Sequence, residues 1–150
     1  MSNLDRAKDL ARREDGLAVV ATSRGDGTVQ ASVVNAGVIE HPTTRDPVVG
    51  FVVAKRSARK LANLRARPHV TVVFRAGWEW AAVEGRAELA GPDDALDGLD
   101  PSATAGLLRV VYAAAAGGKP EDWAQLDDTM AAEGHTAVLV RPSRVYSNPV

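Results

Sequence analysis

The order of β-rich runs and helical stretches constrains this chain more than any single motif in it. "GLAVVATS" is a β-branched run, "RGDG" has the composition of a tight turn, and "TVQASVVNAGVI" is a second extended run. Together they predict a β-hairpin. "EHPTTRDP" carries the Pro, Asp and Thr of another turn. "VVGFVVA" is almost continuously apolar, the pattern of a strand covered on both faces. "HVTVVFR" and "WEWAAVEGRAEL" read as two further strands, separated by an Ala76-Gly77 turn.

Helical periodicity precedes and interrupts these runs. Residues 3–14 predict an amphipathic helix with Leu4, Ala7, Leu10 and Ala11 on one side. After Gly91, "DPSATAGLLRVVYAAAAGG" predicts a helix ended by Gly117 and Gly118. "KPEDWAQLDDTMAAEG" predicts another, opened by Pro120 with acids in its first turn and closed by Gly134. "HTAVLVRPSRVYS" then returns as a sixth strand. No repeat or linker divides the 150 residues. The expected fold is one domain, residues 1–150, mainly β with α: a small antiparallel barrel with helices at its edge.

One segment raises a physical question. "AKRSARKLANLRARPH", residues 54–69, holds six cations and no acid, in a chain whose net charge is −1. Ser57 reads as a helix N-cap, with Leu61 and Leu64 supplying an apolar face. Lys55, Arg56, Arg59 and Lys60 then crowd the first turn, where the helix dipole favours acids. A solvated face is one reading. Nucleic acid is a second, although one short helix in a chain of pI near 6.3 offers a small footprint. A bound phosphate is the third and answers the question directly: helix N-termini present free N–H groups, and an anion stabilises cations placed there.

The remaining chemistry is sparse. Without cysteine, disulfides, thiolate metal sites and cysteine nucleophiles are excluded. His41, His69 and His135 are scattered, with no partner at metal-ligand spacing. No serine sits in a nucleophile elbow, and "GDG" joins two strands rather than opening a helix. Glu79, Glu84 and Glu88 read as solvated or edge positions of one strand. Trp78 and Trp80, two apart, share a strand face, either as core or as a wall over a flat heterocycle on a partner subunit. The charged start, "MSNLDRAKDLARRED", shows neither a secretory core nor a membrane span, so the cytoplasm is the expected location. Hard chemistry, if any, falls to a cofactor.

"SARKLANLRARPHVTVVF" followed by "WAAVEGRAEL" resembles the pyridoxamine-phosphate-oxidase-like, FMN-binding split-barrel superfamily. The matching features are an Arg-Lys pair opening a short helix, then Asn-Leu, then Pro, a β-branched strand and Val-Glu-Gly-x-Ala. The opening hairpin and "RPSRVYS" also fit. The resemblance implies a six-stranded antiparallel split β-barrel with peripheral helices, forming a homodimer with cofactor sites at the subunit interface. By position, Arg59 and Lys60 match phosphate-binding residues, with Lys55, Arg56 and Ser57 beside them. Val53 and Ala54 match the strand end whose backbone faces the cofactor. Ser32, Val33, Val34 and Asn35 match the second-strand segment beside the ring, and Trp78 and Trp80 fall where the other subunit approaches.

Two departures narrow the expectation. The vitamin B6 oxidases carry an arginine where this chain has Ser32, and an Arg-x-His pair where it reads "SRVYSNPV". The shorter chain, rich in Ala and Arg as in high-GC actinomycetes, resembles instead the actinobacterial branch that uses the deazaflavin coenzyme F420. That resemblance implies an F420-dependent oxidoreductase acting on a small unsaturated molecule, with no nucleic-acid or membrane partner. FMN is the alternative cofactor, and a non-catalytic carrier is the alternative role. The extra cations suit the phosphate and the carboxylates of F420's tail.

Overall fold

Alternation sets the first strand. In β1 (Leu17–Ser23) Ala18, Val20 and Thr22 are buried while Leu17 and Val19 face outward. β2 (Val29–Glu40) pairs with it antiparallel, from Leu17 opposite Asn35 to Ser23 opposite Val29. The computed structural model describes residues 4–116 and 122–149. Across them β3 (Pro47–Val53), β4 (His69–Ala76), β5 (Glu79–Ala90) and β6 (Thr136–Ser147) complete a closed barrel in the order β1-β2-β3-β6-β5-β4. Every neighbouring pair is antiparallel, with one irregularity between Glu84 and Gly85. This is the expected six-stranded architecture. Closure also removes the edge that the sequence reading gave Glu79, Glu84 and Glu88.

Among the described residues four α-helices surround the barrel: α1 (Asp5–Arg13), α2 (Arg59–Ala66), α3 (Thr104–Ala116) and α4 (Trp123–Glu133). α1 buries Ala7, Leu10 and Ala11. α3 follows a 3₁₀ turn at Pro101–Ala103. The expected helix-ending Gly117 and Gly118 and helix-opening Pro120 lie outside the described residues. α4 is capped at its start by the Asp122 side chain, which accepts from the Gln125 N–H at 3.1 Å. It ends at Gly134 in the left-handed conformation (φ 70°), as its sequence predicts.

Two apolar cores result. The barrel interior holds Val20, Phe51, Val72, Phe74 and Val140, joined by Leu10 of α1 and Leu61 and Leu64 of α2. The second lies outside the wall, where Val48 and Leu139 meet Leu107, Leu108 and Val111 of α3 and Met130 of α4. β3 is therefore covered on both faces, which is why its sequence does not alternate. Gly37 and Gly50 are cross-strand partners under α3. A methyl on Gly37 would stand 2.6 Å from the Ala114 carbonyl oxygen, so the helix rests almost on bare backbone.

Candidate functional site

The basic segment resolves into paired and unpaired cations. α2 begins at Arg59, one residue beyond Ala58, whose side chain caps nothing; Ser57 lies in the preceding turn and is not the N-cap. Lys55 and Arg56 also precede the helix, leaving only Arg59 and Lys60 in its first turn. Leu61 and Leu64 fasten it to the barrel core, and buried Asn63 donates to Thr22 Oγ1 (3.0 Å) and Gln30 Oε1 (3.1 Å). Arg56 makes a two-point pair with Asp93, Nε to Oδ2 at 3.1 Å and Nη2 to Oδ1 at 2.6 Å. Arg65 does the same to Asp94, and Arg67 donates to the Ser23 carbonyl at 2.9 Å. The Arg56 guanidinium holds the Asp93 carboxyl below the usual carboxylate range. Lys55, Arg59 and Lys60 have no ion pair among the described residues. Lys60 is half-buried, and desolvation lowers the pKa of its ammonium.

Lys60 stands in the wall of a cavity of about 520 Å³. β2 contributes Val33, Val34 and Asn35, β3 contributes Val52 and Val53, and Ala54 follows. Asp15, then Tyr112 and Ala115 of α3, and His135 complete the lining. The fold thus brings six of the residues singled out by sequence to one hollow: Val33, Val34, Asn35, Val53, Ala54 and Lys60. Ser32, Lys55, Arg56, Ser57 and Arg59 are near in sequence but outside its lining. Asn35 is oriented by donating to the Asp15 carbonyl at 2.9 Å. His135 Nε2 lies 2.8 Å from Glu133, and its Nδ1 is buried without a partner. Tyr112 packs edge-on against Trp123 at 6.3 Å, and Arg109 lies over the same indole while pairing with Asp127.

The two tryptophans do not form one wall. Trp78 belongs to the turn before β5 and is 94% exposed, because Gly77 (φ 61°) carries the turn one residue further than the spacing implies. Trp80 is half-buried, edge-on to Tyr146 at 6.0 Å. Beside the cavity, Val33 (64% exposed) pairs across the sheet with exposed Val19, and Asn35 with exposed Leu17. An apolar stripe therefore runs from the cavity lip over the outer face of β1.

Sequence reasoning missed Tyr112 and His135, which had been read as helix periodicity and as a scattered histidine. It also missed a second cluster. His41 is fully buried, with Nε2 3.0 Å from Glu88 Oε1, and Arg141 Nε donates to the same oxygen at 2.5 Å. The N–H groups of Thr43 and Thr44 point at His41 Nδ1 (3.2 and 3.3 Å), so the ring proton sits on Nε2 and is donated to Glu88. This cluster lies outside the cavity lining and ties a turn to the barrel wall.

Comparison with known proteins identifies the family and the fold. A family model described as pyridoxamine 5′-phosphate oxidase matches residues 5–146. The fold is similar to that of a conserved hypothetical protein from Mycobacterium tuberculosis (TM-score 0.70, 20% identity, covering 98% of this chain and 84% of that one). It is similar to a pyridoxamine 5′-phosphate oxidase-related, FMN binding protein from Nostoc punctiforme (TM-score 0.65, 15% identity, 98% and 84% covered). It is also similar to an F420 reductase (TM-score 0.56, 22% identity, 93% and 94% covered). No helix among the described residues is long and apolar enough to cross a membrane.

Proposed function

The chain belongs to the pyridoxamine 5′-phosphate oxidase family of FMN-binding split barrels, and on that premise we propose that it is an F420-dependent oxidoreductase. Its substrate is a small unsaturated organic molecule, met in the cytoplasm. The observation that carries this reading is Lys60: a half-buried ammonium with no ion pair among the described residues, in the wall of a hollow whose lining combines Val and Ala side chains with Asp15, Asn35, Tyr112 and His135. A cavity of about 520 Å³ lies within the usual range for small-molecule sites. An unpaired cation at one side of such a hollow fits a ligand with a flat apolar body and an anionic arm.

In this reading Val33, Val34 and Val53 support the ring, and Lys60 with Arg59 receives the arm. When bound, the deazaflavin supplies the hydride chemistry. The protein's residues bind, orient and exclude water: Asn35, locked by the Asp15 carbonyl, offers its remaining amide groups at the cavity wall, and Tyr112, on the helix that packs over β2, adds its ring to the lining. The exposed stripe of Leu17, Val19 and Val33 supports a homodimer that covers this face and completes the site. FMN is the second reading, supported by the family and by the similarity to an FMN binding protein.

Parallel titration of the purified protein with coenzyme F420 and with FMN, followed by cofactor fluorescence, separates the two. The expected result is tighter binding of F420. Equal or reversed affinities would favour FMN, and absence of binding by either would refute the site.

A further inference from the structure

We propose that Arg56 is a reserve anion ligand of this site and that Asp93 is its built-in competitor. The inference rests on the cofactor reading above: a phosphate or carboxylate on the cofactor's arm, beyond the reach of Lys60, gains Arg56 by displacing Asp93.

Position comes first. Arg56 lies two residues after Ala54 and four before Lys60, both of which line the cavity. Its aliphatic stem presses on Gly134, where an added methyl would stand 2.2 Å from Cγ and Cδ. The next residue, His135, also lines the cavity. Arg56 is outside the lining, but two lining residues bracket it along the chain and it touches the residue that precedes a third.

Geometry comes second. Asp93 engages Arg56 through two parallel N–H donors, the arrangement a guanidinium offers to any carboxylate or phosphate. The carboxylate occupies the place of an external anion.

Exchangeability comes third, and here the neighbouring pair is the control. The Arg56 and Asp93 side chains are 55% and 41% exposed, whereas Arg65 and Asp94 are 35% and 15% exposed. Arg65 donates three hydrogen bonds to Asp94. Gly91 and Asp94 exchange two backbone hydrogen bonds, at 3.0 and 3.3 Å, which hold the turn in place. The Asp94 pair thus anchors the turn, so the Asp93 pair can open without moving the backbone. Exposed pairs are weak and yield to a better-placed anion.

The test is a double-mutant cycle on Asp93→Asn and Arg56→Gln, read as dissociation constants for F420 and FMN at low salt. Asp93→Asn should tighten cofactor binding about two- to fivefold, the scale of an exposed pair. The gain should vanish in the Arg56→Gln background. A gain confined to F420 identifies its tail carboxylates as the displacing group, and a gain shared with FMN identifies the phosphate. Asp93→Ser should repeat the result and guards against a local effect of the amide, while thermal melts report folding. A gain that persists in Arg56→Gln is simple long-range attraction and overturns the proposal, as does unchanged affinity in both Asp93 variants. Those failures leave the cofactor reading standing; wild-type protein that binds neither cofactor refutes that reading itself.

Discussion

Replacing Lys60 by Met tests the site at the atom on which it depends. In the folded chain this ammonium is half-buried, has no counterion among the described residues, and has its pKa lowered by desolvation. Removing the charge takes away one charge-assisted hydrogen bond to the cofactor's anionic arm, worth about 1.5–3 kcal/mol, or roughly ten- to a hundredfold in affinity. Methionine keeps an unbranched apolar stem against the cavity wall, so packing is retained. The free protein should therefore be no less stable than wild type. The sign follows from linkage: a lysine whose folded pKa is lowered binds fewer protons than in the unfolded chain. Wild-type stability should accordingly rise with pH, from the depressed folded value up to the unfolded lysine value of about 10.4, and Lys60→Met should lack that rise. Binding an anion reverses the shift, so wild-type complex formation should take up protons and weaken as pH climbs through the Lys60 pKa. Calorimetric titration in two buffers of different ionisation enthalpy measures the uptake. Arg59, exposed and outside the lining, should matter less: Arg59→Ala should cost about two- to fivefold. Cofactor affinity in Lys60→Met within about twofold of wild type would refute the anion-site assignment.

Four further outcomes are expected. Val19→Glu places a charge in the exposed stripe without touching the cavity lining, and sedimentation should show it shifting dimer to monomer. His41→Leu strips an acceptor from the Thr43 and Thr44 N–H groups and a partner from Glu88; it should cost about 2–4 kcal/mol by denaturant unfolding with cofactor affinity retained. Gly37→Ala drives a methyl into the Ala114 carbonyl and should cost about 1–3 kcal/mol while weakening cofactor binding, because α3 carries Tyr112 and Ala115. Gly106→Ala in the same helix meets nothing within 4 Å and should instead stabilise by up to about 1 kcal/mol in calorimetry.

What sequence could and could not disclose divides along range. Every strand was legible as a β-branched or apolar run between turn residues; burial alternates in β1 and β4, while β3 and the first half of β6 are buried on both faces. Val33, Val34, Asn35, Val53, Ala54 and Lys60 of the cavity's lining were named as well, by position from the family resemblance. The rest of its lining was not. Tyr112 comes to it on α3, which settles on Gly37 and Gly50, and His135 comes to it between α4 and β6; neither approach is written in a local pattern. The same limit governs charge. Six cations on one segment read as a surplus demanding an external anion, yet Asp93 and Asp94, 37 and 29 residues from Arg56 and Arg65, satisfy two of them. Ser57 misled for the opposite reason: its local chemistry suits a cap, but Ala58 holds that place and the helix starts at Arg59, so only Arg59 and Lys60 of the cations stand in its first turn. A charge count along the chain is thus an upper bound on the field a ligand meets. Here the bound falls from six to four, since Arg67 keeps its charge while donating to the neutral Ser23 carbonyl, and of those four only Lys60 is held in the cavity wall. That subtraction points the affinity predictions at one lysine, with Arg56 held in check by Asp93 rather than spent.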